Sequence, residues 1–365
     1  MTRRLRPAFI VIIAAAAGGA MLGACTLTQS LDYLQEGGEG GTPGNDAGNG
    51  GGEGGGEAGS RNGEIVVTNQ TKPDHLAQDD TNLYWSTGGT VQSIPKAGGT
   101  PKTIGVAPSV TFIAADPGPG GFVFVAAGRD VWRFPKDGSD GGVVFSAPAQ
   151  TPPVDTVLAD QAGIFVLQAD VNEESSLIVK MAKDGTAQVD LAGDAGAATL
   201  IAQEKDTLFW MDSTLDPTTF YELAKSAAPG TPATAFPLPV DDEYPVLSAE
   251  VAADATNMYW MATDANLQPL VISRKRQKGA PAIKLLRGST VATFGNIAID
   301  DMFVYVLDLT GGTVLRGLKA GTSPPAGEVV MDGLIGPTAI VVDATNVYVT
   351  VEATGAMGAV LKRKK

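Results

Sequence analysis

The chain has 365 residues, 46 of them Gly and 23 Pro, with one Cys, one His and a formal net charge of −14. One Cys excludes an internal disulfide framework and any multi-cysteine metal site, and one His excludes a histidine cage. The acidic balance argues against a nucleic-acid partner, which needs Lys and Arg to neutralise phosphates, while 44% hydrophobic and 18% charged residues allow a sizeable core.

Arg3, Arg4 and Arg6 precede the apolar run from Ala8 to Ala17, and small residues follow up to Leu22-Gly23-Ala24-Cys25. A positive start, a short apolar stretch and small residues before a cut describe an export signal. The run is short for a membrane span, which needs about 20 apolar residues. Leu22, Gly23, Ala24 and Cys25 together resemble the bacterial lipobox. That resemblance implies a signal peptide over 1–24 and a diacylglycerol-modified, N-acylated (palmitate-bearing) Cys25 as the mature N-terminus. An ordinary secreted protein with a chance Cys is the alternative. Each buried CH₂ of an acyl chain contributes roughly 0.8 kcal/mol, so two or three chains anchor stably. Thr26 follows the Cys, and by resemblance to diderm lipoprotein sorting this favours the outer membrane. Whether the domain faces the periplasm or the cell surface stays open.

Residues 36–62 hold 13 Gly in 27 positions, with Glu36, Glu39, Asp46, Glu53 and Glu57. Such a composition buries no apolar surface, so 25–62 reads as a disordered tether of root-mean-square span about 25–30 Å.

From residue 63 onward one phrase recurs: an apolar pair, an acid, a short turn, then aliphatic-aromatic-Trp or Val. It runs Leu76 to Asp79 into Leu83-Tyr84-Trp85, Val251 to Asp254 into Met258-Tyr259-Trp260, and Ile340 to Asp343 into Val347-Tyr348-Val349. Weaker copies bring the acids to Asp79, Asp116, Asp160, Glu204, Asp254, Asp300 and Asp343, at spacings of 37, 44, 44, 50, 46 and 43 residues. Each copy continues through a third apolar run, a Lys near a Gly-rich turn, and a fourth run. Short β-branched and aromatic runs between turn residues read as strands. Four strands per repeat of about 43 residues is the pattern of a β-propeller blade.

The last copy stops after three strands. Gly63-Glu64-Ile65-Val66-Val67 matches Gly327-Glu328-Val329-Val330-Met331, the fourth strand of the preceding copy. The N-terminal strand therefore closes the last blade. This predicts an all-β propeller over 63–365 with seven four-stranded blades, six or eight being the alternatives. The blades are 75–110, 111–153, 154–198, 199–246, 247–294, 295–338, and 339–365 with 63–74. The phrase resembles TolB-like and NHL-like propellers, and above all the repeat lipoproteins of myxobacteria-type genomes. That resemblance is specific for fold and says little about activity.

The repeated acid reads as a turn residue, because an Asp side chain accepts backbone N–H bonds two residues on. It is wanted in every blade, whereas a catalytic acid usually occurs once. The aromatics Tyr84, Phe124, Phe165, Phe209, Tyr259, Tyr305 and Tyr348 are expected to pack between blades. Lys96, Lys136, Lys183 and Lys319 read as solvated turn charges, and Lys362-Arg363-Lys364-Lys365 as a frayed basic end that can also touch anionic lipid or polysaccharide.

Candidate binding residues fall on the rim carrying the second-to-third and fourth-to-first loops. Asp170, Glu173, Glu174, Asp212, Asp216, Asp264 and Asp308 lie there, joined by Asp241, Asp242 and Glu243. They predict an acidic rim, fit for a cationic partner, for calcium through oxygen ligands, or for solubility alone. No cofactor motif occurs, and neither a phosphate loop nor a nucleophile elbow is present. His75 is a candidate base with no partner legible in the sequence, so no catalytic residue is assigned. The expectation is a lipid-anchored, non-catalytic propeller that binds an envelope protein or glycan, with no signal for homo-oligomers. A polysaccharide-acting lyase or hydrolase and a Tol–Pal-like assembly component are the alternatives.

Overall fold

The computed structural model describes residues 61–365 apart from 119, 171–174, 194, 197, 199–200, 213–214, 216–217, 239–245, 322–325 and 353–356. The export signal, the lipobox and the Gly-rich stretch up to Ser60 lie outside the described residues, as do Glu173, Glu174, Asp216, Asp241, Asp242 and Glu243.

The described residues form 28 strands and no helix. Strand β1 is Glu64–Gln70. Blade I is β2–β5: Pro73–Gln78, Asn82–Thr87, Thr90–Pro95 and Lys102–Val106. Blade II is β6–β9: Val110–Ala115, Phe122–Ala127, Asp130–Pro135 and Gly142–Ser146. Blade III is β10–β13: Val154–Ala159, Ile164–Asp170, Ser175–Met181 and Val189–Ala192. Blade IV is β14–β17: Ile201–Glu204, Thr207–Asp212, Thr219–Ala224 and Thr234–Pro237. Blade V is β18–β21: Val246–Ala253, Asn257–Thr263, Pro269–Lys275 and Ala282–Arg287. Blade VI is β22–β25: Phe294–Ile299, Phe303–Asp308, Thr313–Leu318 and Glu328–Met331. Blade VII holds β26–β28, Pro337–Val342, Asn346–Val351 and Gly358–Lys364, and its fourth strand is β1, in the order β1-β28-β27-β26.

Every blade is an antiparallel meander, and the expected seven-bladed propeller is what the chain forms. The first strands of successive blades lie side by side, from β2 through β6, β10, β14, β18, β22 and β26 back to β2, so the ring is closed around an axial channel. Closure is made by β1 on β28, with Glu64 opposite Lys362 and Val67 opposite Val360. An open ring would leave strand edges unpaired.

The core sits between blades. Seven apolar clusters occupy the seven junctions. The repeated aromatic enters the junction with the following blade: Tyr84 packs with Ile113 and Val123, and Phe165 with Ile201 and Leu208. The next residue points the opposite way, as strand alternation requires, so Trp85 joins the junction with the preceding blade beside Tyr348 and Val360. All seven aromatics are almost fully buried. Burying one such side chain contributes about 1.5–3 kcal/mol, so sheet faces rather than sheet edges carry most of the cohesion.

Candidate functional site

The repeated acid does two things at once. In blade I, Asp79 Oδ1 accepts the N–H groups of Thr81 and Asn82 at 2.8 and 2.7 Å. Asp160, Asp254, Asp300 and Asp343 hold their turns in the same way. The second oxygen faces the neighbour. Asp79 Oδ2 accepts the hydroxyl of Tyr84 at 2.7 Å and the Nζ of Lys136, from blade II, at 2.7 Å.

That lysine contact repeats around the ring. Lys183 meets Asp116 at 2.6 Å, Lys225 meets Asp160 at 2.9 Å and Lys319 meets Asp254 at 2.8 Å. Lys365 meets Asp300 at 2.6 Å, and Lys96 meets Asp343 at 3.0 Å across the closure. In each case the lysine reaches back to the preceding blade. The reading of these lysines as solvated turn charges is therefore corrected: the side chain of Lys136 is 5% exposed and that of Asp79 0%. Nor is the C-terminal basic segment frayed, since β28 runs through Lys364 and Lys365 closes a junction. Blade IV departs from the pattern. Its acid is Glu204, and the junction with blade V is made by Arg276 on Glu222 at 2.9 Å, with Arg276 also 4.6 Å from the Phe209 ring centre.

Charge is balanced locally. Burial alone would push the Asp79 carboxyl up, but the bonds from Lys136, Tyr84 and two backbone N–H groups outweigh it and bring it down to about 2. Asp300 falls to about 2 on the same balance with Lys365, and Asp160, Asp254 and Asp343 shift downwards too. The Tyr348 hydroxyl is pushed up to about 12 by burial and by the adjacent Asp343.

Where the channel mouth meets these turns, a cavity of about 470 Å³ is lined by Asp79, Lys96, Asp160, Gln203, Lys205 and Lys225, among others. Most of these charges are already matched. Gln78 and Gln203 add bonds to the carbonyls of Val342 and Ala159 in the preceding blade.

Further along the axis, the first strands bulge. Thr111, Asp155, Asn296 and Thr338 are the extra residues, and Asp74, His75 and Glu250 lie in the corresponding irregularities. A bulge re-aims side chains, and these polar residues join blades. Thr338 donates to Pro73 O at 2.8 Å, Thr111 to Asp155 O at 3.3 Å, and Asn296 to Glu250 Oε1 at 2.8 Å. Burial pushes the Asp155 and Glu250 carboxyls up, against partial opposition from Thr156 and from Asn296.

His75 belongs to this belt. Its Nε2 stands 3.2 Å from Val110 O and 3.7 Å from Asp74 Oδ2. A carbonyl only accepts, so the Val110 bond requires Nε2 to carry the proton. The neighbouring cavity, about 510 Å³, is lined by Lys72, Asp74, Ser86 and small loop residues, with no arginine.

Three of the expected rim acids have described side chains, and all are buried: Asp212 at 3%, Asp264 at 7% and Asp308 at 6% exposure. Asp264 accepts from Asn266 N and Gln268 N at 2.8 and 3.0 Å, with Arg287 at 3.4 Å. Asp308 accepts from Thr293 N and Gly311 N at 3.3 and 2.9 Å. Asp170 ends β11, and its side chain lies outside the description. Among the described residues, no group of three or more His, Cys, Asp or Glu is placed to hold a metal ion.

Asp212 opens onto a larger depression, about 660 Å³, at the junction of blades III and IV. Ala192, Gly193, Gly196 and Ala233 form its small-residue walls, and Tyr221 stacks on Trp210 with ring centres 5.5 Å apart and planes at 13°. The Trp210 indole donates to Ala195 O at 3.1 Å and is buried, and the half-buried Tyr221 lines the groove beside it.

No protein-family model and no curated protein matches the chain. Solved structures do, and they agree on the propeller. A catalytically inactive virginiamycin B lyase from Staphylococcus aureus, in complex with quinupristin, is 13% identical with a TM-score of 0.57, covering 82% of this chain and 98% of that one. YCF48 bound to the D1 peptide is 9% identical with a TM-score of 0.58, covering 82% and 95%. The propeller domain of the trilobed protease from Pyrococcus furiosus is 8% identical with a TM-score of 0.54, covering 80% and 96%. That domain has an open velcro topology, whereas the β1–β28 pairing closes this one. At these identities the likeness establishes fold alone.

Proposed function

We propose that the chain is an exported, lipid-anchored binding propeller of the cell envelope, held through Cys25 in the outer membrane, whose blade III–IV groove takes a protein or glycan partner. The groove beside Tyr221 carries this reading. It is a depression of about 660 Å³ lined by the small residues Gly193, Gly196 and Gly230 and by Tyr221 and Asp212. An aromatic face with a few polar groups is recognition chemistry. The sole histidine lies elsewhere, with Nε2 held at a backbone carbonyl.

The test is cross-linking in the intact cell with the full chain, followed by mass spectrometry for proteins and glycan analysis for sugars. Tyr221→Ser is expected to abolish a cross-link that Lys205→Gln, on the charged mouth, retains. Identical recovery from both variants would overturn the groove as the site. The anchor is tested separately: Cys25→Ser is expected to end incorporation of labelled palmitate, and continued labelling would overturn the lipobox reading.

A further inference from the structure

Three loops wall the cavity of about 510 Å³ between blades I and II. Lys72 stands in the turn from β1 to β2, Gly88 and Gly89 in the hairpin from β3 to β4, and Ala107 to Ser109 in the connection from β5 to β6. The walls are tied to one another. Ala107 N donates to Gly89 O at 2.8 Å, and the Thr87 hydroxyl donates to Thr71 O. Asp74 and Ser86 also line the cavity. We propose that it binds a neutral sugar unit.

The backbone is the first observation. Lys72 has φ +49° and Ser109 φ +51°. Left-handed backbone suits Gly and disfavours any L-side chain. Gly makes the corresponding turn before β26, where Gly336 has φ +58°. Two strained positions on one cavity thus keep a Lys and a Ser, which serves their side chains rather than the turn. Strain of this kind gathers at ligand sites. Ser86 is the second observation. It is 3% exposed, and its oxygen accepts the N–H of His75 at 3.2 Å. Among the described residues its own proton has no acceptor, whereas buried hydroxyls ordinarily donate. His75 is therefore a positioning residue here, since its backbone N–H fixes the Ser86 oxygen.

The lining selects the ligand. Asp74 brings a carboxylate that is 64% exposed, and Lys72 brings an ammonium already matched by Glu352 at 2.7 Å. Charges of both signs favour neither an anion nor a cation. Val106, Ala107, Pro108 and Val110 are apolar, and Val106 is 64% exposed. A hydroxyl group both donates and accepts, so one sugar hydroxyl takes the Ser86 proton while another donates to Asp74. The C–H edge of the ring then lies on Val106 and Pro108. The volume falls in the range of roughly 300–1,000 Å³ that small-molecule sites occupy. The groove beside Tyr221 belongs to blades III and IV, so neither reading rests on the other.

The full chain is mixed in turn with glucose, galactose, mannose, rhamnose and N-acetylglucosamine, and with glucuronic acid and glucosamine as charged controls. Saturation transfer from protein to sugar is read by NMR and titrated. Saturable transfer to at least one neutral sugar is expected, stronger than to either charged control. Asp74→Ala and Ser109→Gly are each expected to bind that sugar about tenfold or more weakly. Ser109→Gly relieves the backbone, so its melting temperature is expected to hold or rise, and Asp74→Ala alters an exposed side chain that the fold does not need. Lys205→Gln, an exposed lysine at the channel mouth, is expected to bind as the parent does. No saturable transfer to any of the five neutral sugars, preference for a charged control, unchanged binding in either cavity variant, or an equal loss in Lys205→Gln overturns the site.

Discussion

Lys136 of blade II places its Nζ 2.7 Å from Asp79 Oδ2 of blade I, with both side chains shut away from solvent. The same nitrogen donates to the carbonyls of Asp116 and Gly118 at 2.6 and 2.7 Å, and it lies 5.6 Å from the Tyr84 ring centre. Every donor position of the ammonium is thus used inside the fold. Removing one member of a buried pair strands the other charge, at a cost of about 3–5 kcal/mol. Lys136→Ala is expected to lose that much in urea unfolding. Lys72→Ala, which breaks an exposed pair with Glu352, is expected to lose at most about 1 kcal/mol. Equal losses would mean that the junction pair is dispensable.

The Tyr84 hydroxyl is a second, separable contributor. Blades II, III and IV carry Phe124, Phe165 and Phe209 at this position, each buried to 0%, so a phenyl ring fits the site. Tyr84→Phe removes the 2.7 Å bond to Asp79 without opening a cavity. Hydrogen bonds to charged groups contribute about 1.5–3 kcal/mol, and a loss in that range is expected in the same unfolding assay. An unchanged midpoint would show that Asp79 is satisfied by its lysine and turn bonds alone.

Much of this was legible in the sequence, for a physical reason. Strand alternation fixes which way Tyr84 and Trp85 point, and the Asp-x-Thr-Asn turn follows from what an Asp side chain can reach, so blades, turns and aromatic core were all readable. The strands begin within one or two residues of the expected blade bounds, at Pro73, Val110, Val154, Ile201, Val246, Phe294 and Pro337. The lysines were visible as a repeated position and misread as solvated, because their direction is set by the packing of one blade on the next. Lys225, Lys365 and Arg276 occupy the same place after the third strand without the Gly-rich neighbour that marked Lys96. The cavity that Arg61, Arg316 and Arg363 line together was not readable, since these residues become neighbours only when the ring closes.

Acid should weaken the ring in a defined window. Asp79 and Asp300 have folded values of about 2 against an ordinary 3.8, so the unfolded chain binds protons first as pH falls. Their contribution is complete above about pH 4 and is lost as pH drops through about 2. For the fully enclosed Asp79 the shift corresponds to about 2 kcal/mol. Urea midpoints are expected to fall between about pH 4 and about pH 2, and Asp79→Asn to flatten part of that fall. A parallel profile for the variant would remove Asp79 from the acid response.

Gly185 turns from β12 to β13 with φ +82° and lies against the carbonyl of Val144 in blade II, where a Cβ would collide with backbone. Left-handed backbone costs an L-residue roughly 1–2 kcal/mol before any clash. Gly185→Ala is expected to exceed that, because neither β9 nor the turn can retreat without parting the blades. Gly128 has φ +63° and open space around its Cβ position, so Gly128→Ala is expected to show the backbone cost alone. Equal melting temperatures for the two variants would mean that blade III yields at this contact.

The ring closure makes the sharpest demand on the N-terminal strand. β1 supplies the fourth strand of blade VII, and Val67, 9% exposed, packs in the junction of blades VII and I beside Trp85 and Tyr348. The Gln70 side chain accepts the Trp85 indole N–H at 3.0 Å, so the same strand also ties blade VII to blade I. Deleting Gly63–Thr68 removes the β28 partner, bares a strand edge and uncovers that junction. It is therefore expected to cost more than any single substitution above and to promote association through the freed edge of β28. Deleting Glu36–Gly59, which lies before β1, is the comparison, expected to leave the melting temperature in place. If the two deletions melt alike and both stay monomeric, the propeller does not depend on β1 to close.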